Sequence, residues 1–233
     1  NLYYDIQWGN LKIGQLNVFL EKNNNNIKLN ITSKSTGAVN FLYSYKSELS
    51  ASAYKKETLW RTNSYIVNSS IKNQQYNSRL LWNKENKKLI YQINPPLDLQ
   101  KVYNVHQSTL ANAIDPITAT MRVIEKINNN ETCTTRLKIF DGRRRYNLST
   151  KELEKKYLNN DRPRSFVGNT IICGIKITPI GGHRRESKWK PKNDKFSDIQ
   201  IFFGKITKDF YFPVRMRLQR WFGTITFRLL TSN

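Results

Sequence analysis

In the stretch LKIFDGRRRYNLST, residues 137 to 150, an Asp-Gly pair is followed by Arg143, Arg144 and Arg145. Guanidinium is a planar, permanently charged fork that grips a carboxylate or phosphate through two parallel hydrogen bonds. Three in a row therefore raise the chemistry of anion recognition. A second stretch, PIGGHRR, sets His183, Arg184 and Arg185 directly after Gly181 and Gly182. Backbone freed by two glycines, beside an imidazole and two guanidiniums, can cradle a phosphate. Paired glycines are also the ordinary signal of a turn, and the two basic stretches reinforce one another only where the fold brings them together.

Cys133 and Cys173 are the only cysteines, and His106 and His183 the only histidines. The two thiols, 40 positions apart, read as a disulfide, as two buried thiols or as half of a metal site. The metal reading is the weakest, since zinc takes about four N or S ligands and neither histidine stands at ligand spacing from a cysteine. No cofactor is implied. Catalytic signatures are missing as well: no Gly-x-Ser-x-Gly elbow, phosphate loop, dinucleotide fingerprint or paired carboxylates in a cleft motif. The expectation is a protein that is not an enzyme.

Charge narrows the partners. Lys and Arg number 39 against 17 Asp and Glu, a net charge of +22 with a pI near 10.0. Residues 134–233 hold 23 of the basic residues and 8 of the acidic ones. Such a field attracts nucleic acid, anionic lipid head groups, lipopolysaccharide or acidic glycans and repels cations. Nucleic acid remains an alternative on charge alone, although neither a basic recognition helix, a zinc finger nor an aromatic RNA-reading motif is present. No run approaches the roughly 18 apolar residues that cross a bilayer. The opening residues read as a strand rather than a charged-then-apolar leader, and the lack of a signal peptide in this sequence says nothing about compartment.

The elements that must position these residues are almost all strands. Leu2, Tyr4, Ile6 and Trp8 alternate with polar or aromatic neighbours, Gly9-Asn10 supplies a two-residue turn, and Leu11 and Ile13 then fall opposite Trp8 and Ile6. Beyond Gly14 the apolar phase shifts to Leu16, Val18 and Leu20, which predicts a bulge at the glycine. Alternation returns at Ile27 to Ile31, Leu89 to Ile93, Val214 to Leu218 and Ile225 to Leu229. The Asn-rich pieces 23–26 and 128–130 read as turns. One segment breaks the pattern: Asp115 and Pro116 form a helix start, and Ile117, Met121 and Ile124 lie on one stripe, predicting a helix over 116–127 laid on or plugging the sheet. With neither repeat nor linker, residues 1–233 read as one domain.

For the arginine stretch, Asp141-Gly142 predicts a type I′ hairpin in which Phe140 faces Arg143, Ile139 faces Arg144, Lys138 faces Arg145 and Leu137 faces Tyr146. Arg143 and Arg145 then share a solvated basic face with Arg136 and Lys138. Arg144 falls on the apolar side with Leu137, Ile139, Tyr146 and Leu148, either holding an anion at a cavity rim or snorkelling to water.

Five pieces in order, YYDIQWGNLKIGQL, AIDPITATMRVI, LKIFDGRRRYNL, CGIKITPIGGHRR and FPVRMRLQRWFGTITFRLL, resemble the uncharacterised bacterial envelope family called domain of unknown function 3108. They run from one end of the chain to the other. The resemblance implies an exported, periplasmic protein with a strongly curved antiparallel sheet, a β-spiral or half-barrel similar in general shape to carriers of lipids and lipoproteins. It also implies a Cys133–Cys173 bridge, and it carries no catalytic set. The resulting expectation is an all-β envelope protein, peripheral to the membrane, that binds an acyl chain or hydrophobic segment inside. Its arginines then engage anionic lipid, lipopolysaccharide, glycan or envelope proteins. The alternative is a solid-cored structural or interaction module of the envelope.

Overall fold

The computed structural model describes residues 1–82, 89–130, 132–186, 195–208 and 210–231. Two meanders make up the sheet. The first runs β1 (Leu2–Trp8), β2 (Leu11–Lys22), β3 (Asn26–Ser35), β4 (Tyr45–Lys56), β5 (Leu59–Ile71), β6 (Gln74–Trp82) and β7 (Leu89–Asn94), with a short helix α1 (Gly37–Leu42) between β3 and β4. After helix α2 (Pro116–Asn130) come β8 (Thr135–Phe140), β9 (Arg145–Leu158), β10 (Gly168–Gly181), β11 (Ile199–Thr207), β12 (Phe210–Arg220) and β13 (Gly223–Leu230). Pairing of β1 with β13 joins the meanders into one antiparallel, curved and unclosed sheet of 13 strands, ordered β7 to β1 and then β13 to β8.

The free edges, β7 and β8, come from the middle of the chain, and the residues between them fill the curve. Tyr91 of β7 and Phe140 of β8 meet edge to face at 5.2 Å. Ile114 covers the outer edge of β8, donating to the Lys138 carbonyl at 2.9 Å and accepting from Phe140 N at 3.0 Å, which removes an exposed ladder. Shifts in register between Ile6 and Gln7, Ser52 and Ala53, Ile172 and Cys173, and Phe202 and Phe203 bend the strands.

The first bulge differs in detail from its expectation. Gly14, not Ile13, pairs with Ile6, and Ile13 is the extra residue. A Cβ on Gly14 would stand 2.8 Å from the Lys34 carbonyl oxygen, so the glycine is required where the β2 and β3 backbones crowd. The turn at 23–26 forms as expected, with Asn23 Oδ1 accepting from Asn25 N and Asn26 N. The turn expected at 128–130 does not form, because α2 runs on through Asn130.

Asp115 starts α2 as its residue type predicts. Its Oδ1 accepts from Ile117 N at 2.8 Å and Thr118 N at 3.0 Å, while Oδ2 accepts from the Thr62 and Thr118 hydroxyls. The carboxyl is fully buried, and burial pushes its pKa up against the pull of those four donors. Met121, Val123, Ile124 and Ile127 then pack into the main core with Tyr4, Val18, Leu29, Phe203, Val214 and Leu229. The polar side of α2 turns to the β4–β5 end, where Glu125 pairs with Lys55 and Arg122 Nε donates to the Trp60 carbonyl. Cys133 and Cys173, both fully buried, form a disulfide that fastens the chain just beyond α2 to β10.

Candidate functional site

The arginine hairpin closes differently from the Asp-Gly expectation. Phe140 pairs with Arg145, Ile139 with Tyr146 and Leu137 with Leu148, so the loop holds four residues, Asp141 to Arg144, rather than two. The Asp141 carboxylate braces this loop from within. Oδ1 accepts from Arg143 N at 3.0 Å and Arg144 N at 2.7 Å, and Oδ2 accepts from Arg144 Nε at 3.0 Å. Gly142, at φ +93°, presses on β6, where a Cβ would meet Ser78 at 2.9 Å.

That two-residue slip redistributes the three arginines. Arg145 keeps its face but is not solvated as predicted: opposite Phe140 it is 3% exposed, with Nε donating to the Thr109 carbonyl at 2.8 Å and Nη1 to the Tyr146 carbonyl and to Asn147 Oδ1. Arg143, half-buried, donates from Nη2 to the Pro95 carbonyl at 2.8 Å and lies over the Tyr76 ring. Arg144 sits in the loop instead of on the apolar side, paired with Asp141 and with 63% of its side chain exposed.

The second basic stretch meets the first. Gly181 pairs with Arg145, and a Cβ on Gly182 would collide with the Arg143 carbonyl oxygen. Gly182, at φ +76°, donates its N–H to the Tyr103 carbonyl at 2.8 Å, Tyr103 N donates to the His183 carbonyl at 3.0 Å, and Arg185 N donates to the Lys101 carbonyl at 3.0 Å. The glycines thus serve close backbone packing, and the Gly182 N–H is already engaged. His183 stacks against Tyr103 at 4.8 Å, and its Nδ1 is buried without a hydrogen-bond partner among the described residues. The Arg185 guanidinium lies 4.8 Å from the same Tyr103 ring. Exposed at this corner are Arg144, Arg184 and Arg185. No group of His, Cys, Asp or Glu fit to hold a metal occurs among the described residues.

A larger feature lies inside the curve. Across the register, Ile6, Phe227, Met216 and Ile201 form one row on the face that α2 covers deeper in, and Trp8, Ile225, Leu218 and Ile199 form the next row outward. Trp8 is exposed and the other seven are only half-buried. The apolar wall therefore continues beyond the helix, only partly covered by the described residues. Across β2 to β5 the row through Tyr4 and Leu16 continues as Ser33, Ser47 and Ser69. The result is a trough with a greasy side and a hydroxyl side, suited to a chain that is apolar along one flank. The alternations at 214–218 and 225–229 are the sequence signal for this wall, but they mark a buried strand face and a binding face alike.

A model of the family described as protein of unknown function (DUF3108) matches residues 3–230. The chain belongs to that family. For this DUF3108 chain, no curated protein gives a significant match. Among solved structures, the crystal structure of a beta-barrel-like protein of DUF1849 from Brucella abortus is similar over 99% of this chain and 94% of that one. The TM-score is 0.53 at 8% identity. That likeness concerns the fold, and it matches the curved, unclosed sheet of this DUF3108 chain.

Proposed function

We propose that this DUF3108 chain is a non-enzymatic protein of the periplasm and cell envelope that holds an acyl chain or a hydrophobic protein segment against the apolar wall of its trough. Anionic envelope components are its partners at the basic rim. The observation that carries this reading is the double row from Ile6 to Ile201 and Trp8 to Ile199, apolar, contiguous and only half-buried among the described residues. Contiguous apolar surface left partly accessible marks a ligand or partner site. The disulfide supports an oxidising compartment, and the charge of +22 supports anionic partners. The cradle stretch contributes surface cations through Arg184 and Arg185 rather than a backbone phosphate nest.

Native mass spectrometry of gently extracted protein tests the reading. A co-purifying lipid or peptide is expected, and it should disappear in M216D and F227D, which set a carboxylate on the wall, while R144A keeps it. The second reading, a structural module, draws on the way α2 fills the deeper half of the curve. It is favoured when the protein emerges empty and M216D still captures its envelope partners.

A further inference from the structure

The three most exposed large apolar side chains among the described residues are Phe41 at 92%, Trp221 at 84% and Leu42 at 74%. They are not scattered. Phe41 and Leu42 sit on α1, the β3–β4 connection, and Trp221 sits on the β12–β13 turn. In an antiparallel sheet ordered β4-β3-β2-β1-β13-β12, these connections and the β1–β2 turn emerge at the same end. Neighbouring strands are about 4.8 Å apart, so the outer two connections, four spacings from each other, are separated by roughly 19 Å, one footprint.

Local bonds hold the apolar groups outward. Asn40 Oδ1 accepts from Ser35 Oγ at 2.7 Å and Ser35 Oγ accepts from Tyr45 N at 2.9 Å, anchoring α1 by its polar side, and none of its residues is buried. Thr36 N donates to the Ile13 carbonyl, tying the loop to β2. Trp8 Nε1 donates to the Phe222 carbonyl at 3.0 Å and Gly9 N to the Thr224 carbonyl, tying the turn at 221–222 to the β1–β2 turn. Tyr43, with the Lys72 ammonium 5.6 Å from its ring, adds an amphipathic aromatic beside Leu42.

The charge around this tip is mainly positive, and Asp5, in the cross-strand row of Lys34, is already paired with Lys12. No Asp or Glu occurs from residue 22 to residue 47 or from residue 210 to residue 233. Lys34 and Lys46 stand directly opposite each other across β3 and β4, and neither forms an ion pair among the described residues. Like charges in that position destabilise a sheet, which an external anion would relieve. Protruding Phe, Leu and Trp amid lysines match the apolar depth and anionic surface of a bilayer interface.

We infer that this end of the barrel-like sheet is a membrane-docking tip, in which Phe41, Leu42 and Trp221 enter the interface of an anionic bilayer and Lys34 and Lys46 face its head groups. The inference does not rest on what occupies the trough. It is tested by sedimentation with vesicles of phosphatidylcholine mixed with phosphatidylglycerol, and with phosphatidylcholine alone. Binding to the anionic vesicles at low salt is expected, weakened by about tenfold or more in F41S/L42S and in W221S. K34E/K46E should weaken it comparably and remove much of its salt dependence. All five positions lie at the surface or its edge, and unchanged thermal melting verifies that the fold is kept. M216D, on the trough wall and away from the tip, should leave vesicle binding intact. Binding indifferent to every tip substitution overturns the inference. So does analytical ultracentrifugation in which the same substitutions split a dimer while vesicle binding never occurs, since the tip is then a contact between copies.

Discussion

Arg145 and Arg144 are neighbours in sequence and opposites in energetics. The Arg145 guanidinium is buried with three oxygen acceptors and so links the hairpin to the turn at 107–110. Replacing it with Met leaves three half-buried acceptors without their donor, and an unsatisfied buried group costs about 1–3 kcal/mol. R145M is expected to lower unfolding free energy by about 3 kcal/mol in urea titration, the upper end of that range. R144A removes an exposed ion pair worth about 0–1 kcal/mol, and its midpoint should barely move. Asp115 offers a different handle. Its folded pKa lies above the ordinary carboxyl value because burial disfavours the charge. The stability tied to its protonated form is therefore fully present below about pH 4 and is lost as pH rises through the folded pKa. The amide that D115N puts in its place carries no such charge. The stability of D115N relative to the parent should consequently increase with pH across that window, and a difference that stays flat with pH would refute an uncompensated charge at this cap.

At the scale of elements, Gly182 decides whether the two basic stretches share a corner. A methyl group there collides with the Arg143 carbonyl, at a φ that L residues rarely adopt. G182A should cost about 2 kcal/mol or more, and hydrogen exchange should quicken at Tyr103, whose N–H depends on the His183 carbonyl. The same contact explains what could be read from sequence. Strand faces such as 214–218 and 225–229, and the helix start at Asp115, follow from side-chain period and capping chemistry, which are local. The hairpin register does not, because an Asp-Gly pair fits a two-residue loop and a four-residue loop alike. The choice comes from β6 against Gly142 and from Gly182 against Arg143, partners dozens of residues away. The trough was half legible for a similar reason. Alternation marks the wall, but only the position of α2 determines which rows stay partly accessible.

For the molecule as a whole, the sheet's geometry leaves its two free edges in the middle of the chain and its termini paired through β1 and β13. Everything inside the curve therefore hangs from the segment between β7 and β8. Ile114 clips that segment to β8 at one end of α2, and the disulfide clips it to β10 just past the other. The bridge closes a loop of about 40 residues, which in the chain-entropy model corresponds to roughly 4 kcal/mol of denatured-state restriction. C133A/C173A should lose stability of that order in urea, and the parent protein under reducing denaturing conditions should lose a similar amount. Because α2 is what separates the filled half of the curve from the half-buried wall, its release should appear first inside the trough. Amides of α2 are expected to exchange faster in the alanine pair than those of the β1–β13 seam. If the seam loosened first, the bridge would be holding the sheet together rather than the helix within it.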